Sequence, residues 1–269
     1  MAQYSPILKP AFRDSSIDDW QTWLLEWLSP VLPRRASACS ICFGPGRLDP
    51  ATAECTQCTK YAEAQRALAS LHVISYAQPS GLTDVLAQVK YHQKEYSWLR
   101  TPLSHLVERW MGAHLRCIQT QFSNEKFTVL PVPSRRGATS EGHLSDLWTT
   151  NERLRNLWPI EDSFLWRNEV DRIEKQTLQP KKFFLDTSRV KGRNFLVFDD
   201  LYTSGASMNS VALRLKTAGA KRVVGLVIGR HLTPGSTYGT SKELQRELAN
   251  GDGGWNIRDC RVCIESRGR

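Results

Sequence analysis

Two unbroken apolar runs dominate the hydrophobic pattern of the chain. Residues 195–198 are apolar throughout, and residues 222–229 read RVVGLVIG. Between them, residues 208–218 follow a helical period, with Gly219 placed to stop the helix. Continuous apolar runs mark strands buried on both faces. The strand–loop–helix–strand order therefore predicts an α/β fold, a mostly parallel sheet with flanking helices. The same reading places strands at 71–76, 127–132 and 164–166, and helices at 82–91, 98–118, 144–158 and about 241–249. Residues 169–191 are polar and basic and read as a loop. Residues 260–264 read as an edge strand.

The first turn-to-turn period lies at 16–32. Ile17, Trp20, Trp23, Leu24, Trp27, Leu28 and Val31 fall on one helical face, Ser16 and Asp19 can form a capping box, and Pro30 and Pro33 close the segment. Such a face packs on its own domain or docks on a partner. The expected division is an N-terminal helix with a small cysteine module over 1–65, and the α/β domain over 66–269.

Composition narrows the class. With 269 residues and 41% apolar content, the chain suits a globular protein of one full domain plus a small module. No apolar run reaches the roughly 20 residues a bilayer-spanning helix needs. Asp18, Asp19 and Glu26 interrupt the N-terminal apolar stretch, so no signal peptide is read and a cytoplasmic location is expected. Seven cysteines in such a chain point to metal or free thiols more than to disulfides. A net charge of +9 favours anionic partners, either polyphosphate ligands or nucleic acid, with a merely basic, soluble surface as the alternative. Nine tryptophans supply core and interface residues, or a stacking platform for single strands.

Four of the cysteines have metal-ligand spacing. Cys39 and Cys42 form one Cys-x-x-Cys knuckle, and Cys55 and Cys58 form a second after an interval of twelve residues. Paired knuckles supply four soft thiolates for tetrahedral zinc, and a closed set of four is structural, not catalytic. Four reduced buried cysteines, or a redox pair, are the alternative. Gly44, Pro45 and Gly46 permit the turn after the first knuckle. Cys260 and Cys263 are expected not to be metal ligands, because strand positions three apart face opposite ways.

Asp199 and Asp200 stand at the end of the first apolar run, followed by Thr203, Ser204, Gly205, Ala206 and Ser207 at the start of a helix. Ligands of parallel sheets sit beyond the carboxyl ends of the strands. Two adjacent carboxylates can accept hydrogen bonds from a ribose diol. The loop after them offers backbone N–H groups and a helix dipole to an anion. Diol site and anion site together describe a ribose 5-phosphate.

This segment resembles the phosphoribosyl-pyrophosphate signature of type I phosphoribosyltransferases. The full order is an amphipathic helix, a four-cysteine knuckle pair, Leu86…Val89-Lys90-Tyr91, Pro131-Val132-Pro133-Ser134-Arg135-Arg136-Gly137, and then the acid pair. That order is similar to the ComF family of competence-associated phosphoribosyltransferase-like proteins. The resemblance implies a type I phosphoribosyltransferase-like fold preceded by a small zinc-ribbon module. It implies catalytic roles for Asp199 and Asp200 and a 5-phosphate cradle at 203–207. Phosphoribosyl pyrophosphate would bind with Mg²⁺, and its pyrophosphate would lie at Arg135 and Arg136, unless these are simply solvated. Lys175, Gln176 and Gln179 fall in a polar segment that can close over a ligand. Thr203 stands where purine-salvage enzymes have an Asp, which disfavours 6-oxopurines. Glu141-Gly142-His143 departs from the family's usual Arg-Gly, placing an acid where a cation is expected. That departure, with the basic charge, keeps open a second expectation: a catalytically degenerate DNA-uptake protein that binds single-stranded DNA or a helicase-type partner.

Overall fold

The computed structural model describes residues 7, 17–31, 38–44, 48–62, 67–91, 94–133, 143–167, 177–232, 242–250 and 254–267. At its centre is a four-stranded sheet in the order β1 (Ser70–Ala77), β6 (Arg222–His231), β5 (Asn194–Tyr202), β2 (Thr128–Pro131). All of its pairings are parallel. The two central strands explain the unbroken apolar runs, since each alternates between two buried faces. On β5, Phe195 and Val197 enter one core, while Leu196 and Phe198 enter the other.

On the first face, helix α7 (Ala206–Thr217) lays Met208, Val211, Ala212 and Leu215 against the sheet. A two-stranded antiparallel hairpin, β3 (Leu165–Arg167) with β4 (Phe183–Leu185), joins it there, as do the four knuckle cysteines. The second face carries α1 (Ile17–Leu25), α3 (Leu82–Tyr91), α4 (Arg100–Gln121), α5 (His143–Thr150) and α6 (Glu152–Leu157). A short helix, α2 (Thr56–Lys60), follows Cys55, α8 (Lys242–Asn250) follows β6, and α9 (Arg261–Arg267) ends the described chain.

The structure revises the pattern-based elements at four points. Helix α1 ends at Leu25 rather than near 32. Ser29 instead bridges Tyr76 on the outer edge of β1. Pro30 has no N–H for a helix and biases its predecessor to extended backbone, so Ser29 is free to cover a sheet edge. The 144–158 helix is two helices, because Asn151 turns extended and its side chain accepts from Leu154 N at 3.1 Å as a new N-cap. The 169–191 loop contains β4, paired to β3 and held to α7 by Arg214 Nε donating to the Phe183 carbonyl at 3.1 Å. The fourth revision concerns 260–264, which is not a strand. Residues 261–267 form helix α9, supported by an Arg261–Glu265 pair at 2.8 Å across one turn. Cys260 and Cys263 are consequently one turn apart, with their sulfurs at 3.5 Å, and do not face opposite ways.

Trp255, ahead of α9, donates from Nε1 to the Ile74 carbonyl at 2.7 Å, so the C-terminal segment also lies along the open side of β1. Among the described residues, no helix is long and apolar enough to cross a membrane.

Candidate functional site

The acid pair sits near the carboxyl end of β5. Asp200 is buried, and both its oxygens are engaged. Lys90, in the last turn of α3, approaches Oδ1 at 3.1 Å and Oδ2 at 2.9 Å. His143, the first residue of α5, places Nε2 at 2.8 Å from Oδ2. Leu201 N donates to Oδ1 at 2.7 Å. Burial alone would raise the pKa of Asp200. The Lys90 ammonium and the His143 hydrogen bond overcome it and hold the carboxyl well below the ordinary carboxylate range. Asp199 has the opposite balance. It is half-buried, and desolvation together with the charge on Asp200 pushes it well above its ordinary value. The two adjacent carboxyls are thus pushed in opposite directions, Asp200 towards the ionised form and Asp199 towards the protonated one.

One loop later, residues 203–205 turn into α7. Gly205 caps the helix with φ +77°, a left-handed conformation. A Cβ at this position would meet the Tyr202 hydroxyl at 2.1 Å, so only glycine lets the loop lie against the Tyr202 ring. Asn209 Nδ2 holds that hydroxyl at 3.1 Å. Arg230, buried near the end of β6, donates from Nη1 to the carbonyls of Tyr202 at 3.0 Å and Thr203 at 2.9 Å. No cis peptide occurs here. In a trans peptide the N–H points opposite to the carbonyl. Turning these two carbonyls inward therefore aims the N–H groups of Thr203 and Ser204 away from Arg230. Thr203 is exposed, Ser204 and Ser207 are half-buried, and Gly205 and Ala206 are buried. The N–H groups of Thr203 and Ser204 and the start of α7 are the kind of backbone that can receive an anion, with Ala206 N already donating to Ser204 Oγ at 3.3 Å.

The four knuckle cysteines are brought together. Cys39, Cys42, Cys55 and Cys58 are all buried, with their ligand atoms within 4.8 Å of one another. The sulfurs of Cys39 and Cys58, and of Cys42 and Cys55, lie 3.7 Å apart. Four sulfurs at about 2.3 Å from one zinc would stand about 3.8 Å apart in a tetrahedron. The backbone supports charge on them, since Cys55 N points at Cys39 Sγ at 3.2 Å and Ile41 N at 3.5 Å. Without a metal the neighbouring thiols and burial push the four apart in pKa, Cys42 well below the usual thiol range, with Arg230 adding, and Cys55 and Cys58 above it. The intervening hairpin closes through Leu48 and Cys55, with Asp49 Oδ1 accepting from Ala51 and Thr52 N. This group can hold a zinc ion. Gly44 is required for a reason other than the turn: a Cβ there would fall 1.7 Å from Arg230 Nη2.

Arg135, Arg136, Glu141, Lys175 and Gln176 lie outside the described residues. Gln179 is described, and its backbone N donates to Ser210 Oγ at 2.9 Å, which anchors the base of the hairpin to α7. The residues that pattern reading missed are the partners of the site. Lys90 and His143 were visible only as parts of motifs. Arg230 carried one signal, a cation at the end of an apolar strand that burial makes improbable without partners. Neither the protein-family models nor the curated proteins compared with the chain give a match.

Proposed function

We propose that the chain is a ComF-like protein with a type I phosphoribosyltransferase-like fold, and that it binds phosphoribosyl pyrophosphate. The observation that carries this reading is the juxtaposition at the end of β5: two adjacent acids, with Asp200 held by Lys90 and His143, one loop away from a helix N-terminus whose preceding carbonyls Arg230 turns inward. Asp199 and Asp200 take the ribose hydroxyls, and the amides of 203–207 take the 5-phosphate. Arg135 and Arg136 are assigned to the pyrophosphate on the resemblance alone. In a transfer, pyrophosphate would leave C1 of the ribose while cationic groups neutralise its growing charge. The acceptor is left unassigned. Structural zinc at Cys39, Cys42, Cys55 and Cys58 belongs to the same reading.

A resident magnesium does not fit at Asp200, whose oxygens already serve Lys90, His143 and Leu201 N; a ribose hydroxyl would bind there only by displacing one of these partners. Any magnesium would therefore arrive on the pyrophosphate of the ligand.

A second reading is favoured by this same enclosure of Asp200. A carboxylate neutralised internally suits a fold that has kept its site but lost its turnover. With a net charge of +9, such a protein would bind single-stranded DNA or a helicase-type partner. Calorimetry separates the two. Wild type should give heat with phosphoribosyl pyrophosphate and Mg²⁺, and Asp199→Asn and Asp200→Ala should each weaken it, Asp200→Ala by about ten-fold or more, the worth of one charge-assisted hydrogen bond. No heat at millimolar ligand, together with salt-sensitive DNA binding indifferent to both changes, would overturn the first reading.

A further inference from the structure

The sequence places Cys117 on α4 and Cys260 and Cys263 at the C-terminus, 146 residues separating Cys117 from Cys263. The fold brings all three together with His114. The four ligand atoms lie within 4.8 Å of one another, and His114 and Cys260 are buried. Cys263 is the hub. Its sulfur stands 3.5 Å from the sulfurs of Cys117 and Cys260 and 3.5 Å from His114 Nδ1. None of these separations is a disulfide, which would need about 2.05 Å. They approach the roughly 3.8 Å expected between sulfurs sharing a tetrahedral zinc.

The histidine supplies an independent observation. His114 Nε2 lies 2.8 Å from the carbonyl of Ile257. A carbonyl can only accept, so Nε2 carries the proton. In neutral imidazole the lone pair is then on Nδ1, the nitrogen that faces the thiols. A ring nitrogen fixed by a backbone carbonyl behind it is the usual outer support of a metal-binding histidine. His114 also breaks the regular dihedrals of α4, at φ −118° and ψ 15°, two residues after Gly112.

We propose that His114 Nδ1, Cys117, Cys260 and Cys263 form a second zinc site, distinct from the N-terminal cysteine group. Three thiolates and one imidazole make a soft, closed, four-coordinate set, which fits zinc and leaves no position for substrate. Each thiol loses its proton on binding. The role is structural: the ion ties α9 and the preceding segment to α4 and holds that segment along the open side of β1, where Trp255 meets Ile74. The proposal does not rest on the phosphoribosyl reading.

Elemental analysis of the full chain, purified under reducing conditions without added metal, tests it directly. About two zinc ions per chain are expected, falling to about one in Cys263→Ser and to about one in Cys42→Ser. A single zinc lost in Cys263→Ser but kept in Cys42→Ser also supports the site. Zinc content unchanged by Cys263→Ser overturns it. The wild-type protein gives a readout that does not depend on a variant folding. Alkylation mapped by mass spectrometry should find Cys117 and Cys263 protected until a chelator is added. Ready labelling of both in the metal-loaded protein, or a disulfide between any two of the three cysteines, refutes the proposal.

Discussion

Arg230 and Cys42 are 188 residues apart in the chain, and the Arg230 Nε donates to the Cys42 carbonyl at 2.9 Å. The same guanidinium turns the carbonyls of Tyr202 and Thr203 inward. One buried cation therefore couples the cysteine group to the anion-receiving loop. A lysine cannot reproduce this fork, because its ammonium is a single point. Arg230→Met should lower stability by about 3–5 kcal/mol, the cost of breaking a buried charge network. Arg230→Lys should fall between it and wild type. Thermal unfolding gives the stability, and zinc content measured on the same samples should drop with it. Unchanged metal retention in a folded Arg230→Met protein would show that the coupling is not energetic.

Two glycines should respond to alanine in opposite directions. Gly205 has φ +77° and a tyrosine hydroxyl 2.1 Å from the added Cβ. Gly205→Ala should therefore cost at least about 1–3 kcal/mol and weaken binding of inorganic phosphate. Gly112, exposed inside α4, has nothing within 4 Å of the added atom. Gly112→Ala should stabilise by about 0.5–1 kcal/mol through helix propensity alone. Denaturant titration of both variants checks the contrast.

Acid should destabilise the protein through two histidines. Burial first, with the positive charge of Arg261 nearby, lowers His72 to about 4. Burial and Arg230 lower His231 to about 4. Both are depressed below an ordinary 6.5, so the stability they support is complete above that pH. It is lost as pH falls from 6.5 towards 4, at up to about 1.4 kcal/mol per pH unit for each residue. His72→Leu should flatten part of that slope, because the buried Nε2 has no hydrogen-bond partner to lose. Unfolding midpoints measured across pH 4–7 in both proteins give the comparison.

The sheet was legible because strands buried on both faces leave runs such as 195–198 that no surface segment imitates. The knuckles were legible because ligand spacing within a few residues is a local property. Helix α9 was not. Cys260, Val262 and Ile264 alternate with Arg261, Cys263 and Glu265, a period of two that reads as a strand. The competing signal, Arg261 and Glu265 one turn apart, weighs only a few tenths of a kcal/mol and was outvoted. That misreading hid the second cysteine group, since its ligands come from segments whose meeting only the tertiary fold decides. The partners of Asp200 were hidden for the same reason. Lys90 and His143 lie 110 and 57 residues from the acid they neutralise.

The two neighbouring acids give the sharpest prediction, because replacing Asp199 and depriving Asp200 of its cation should act with opposite sign. Asp199 has its pKa raised by burial and by the charge on Asp200. A raised carboxyl holds its proton more tightly folded than unfolded. It therefore costs stability as pH climbs from the ordinary value of 3.8 through the folded one. Asp199→Asn removes that cost and should stabilise the protein at neutral pH by about 1 kcal/mol. Asp200 has its pKa depressed, against burial, by Lys90 and His143. Its contribution is complete above 3.8 and is lost as pH falls through the folded value. Lys90→Met deprives this carboxylate of its nearest cation. The Lys90 side chain is 33% exposed, so water screens part of the loss, and about 1–3 kcal/mol of destabilisation is expected at neutral pH. The deficit should shrink in acid as Asp200 takes up a proton. Denaturant unfolding of Asp199→Asn and Lys90→Met at pH 4 and pH 7 measures all of these terms. Two variants that shift stability in the same direction at pH 7 would disprove the divided protonation of the pair.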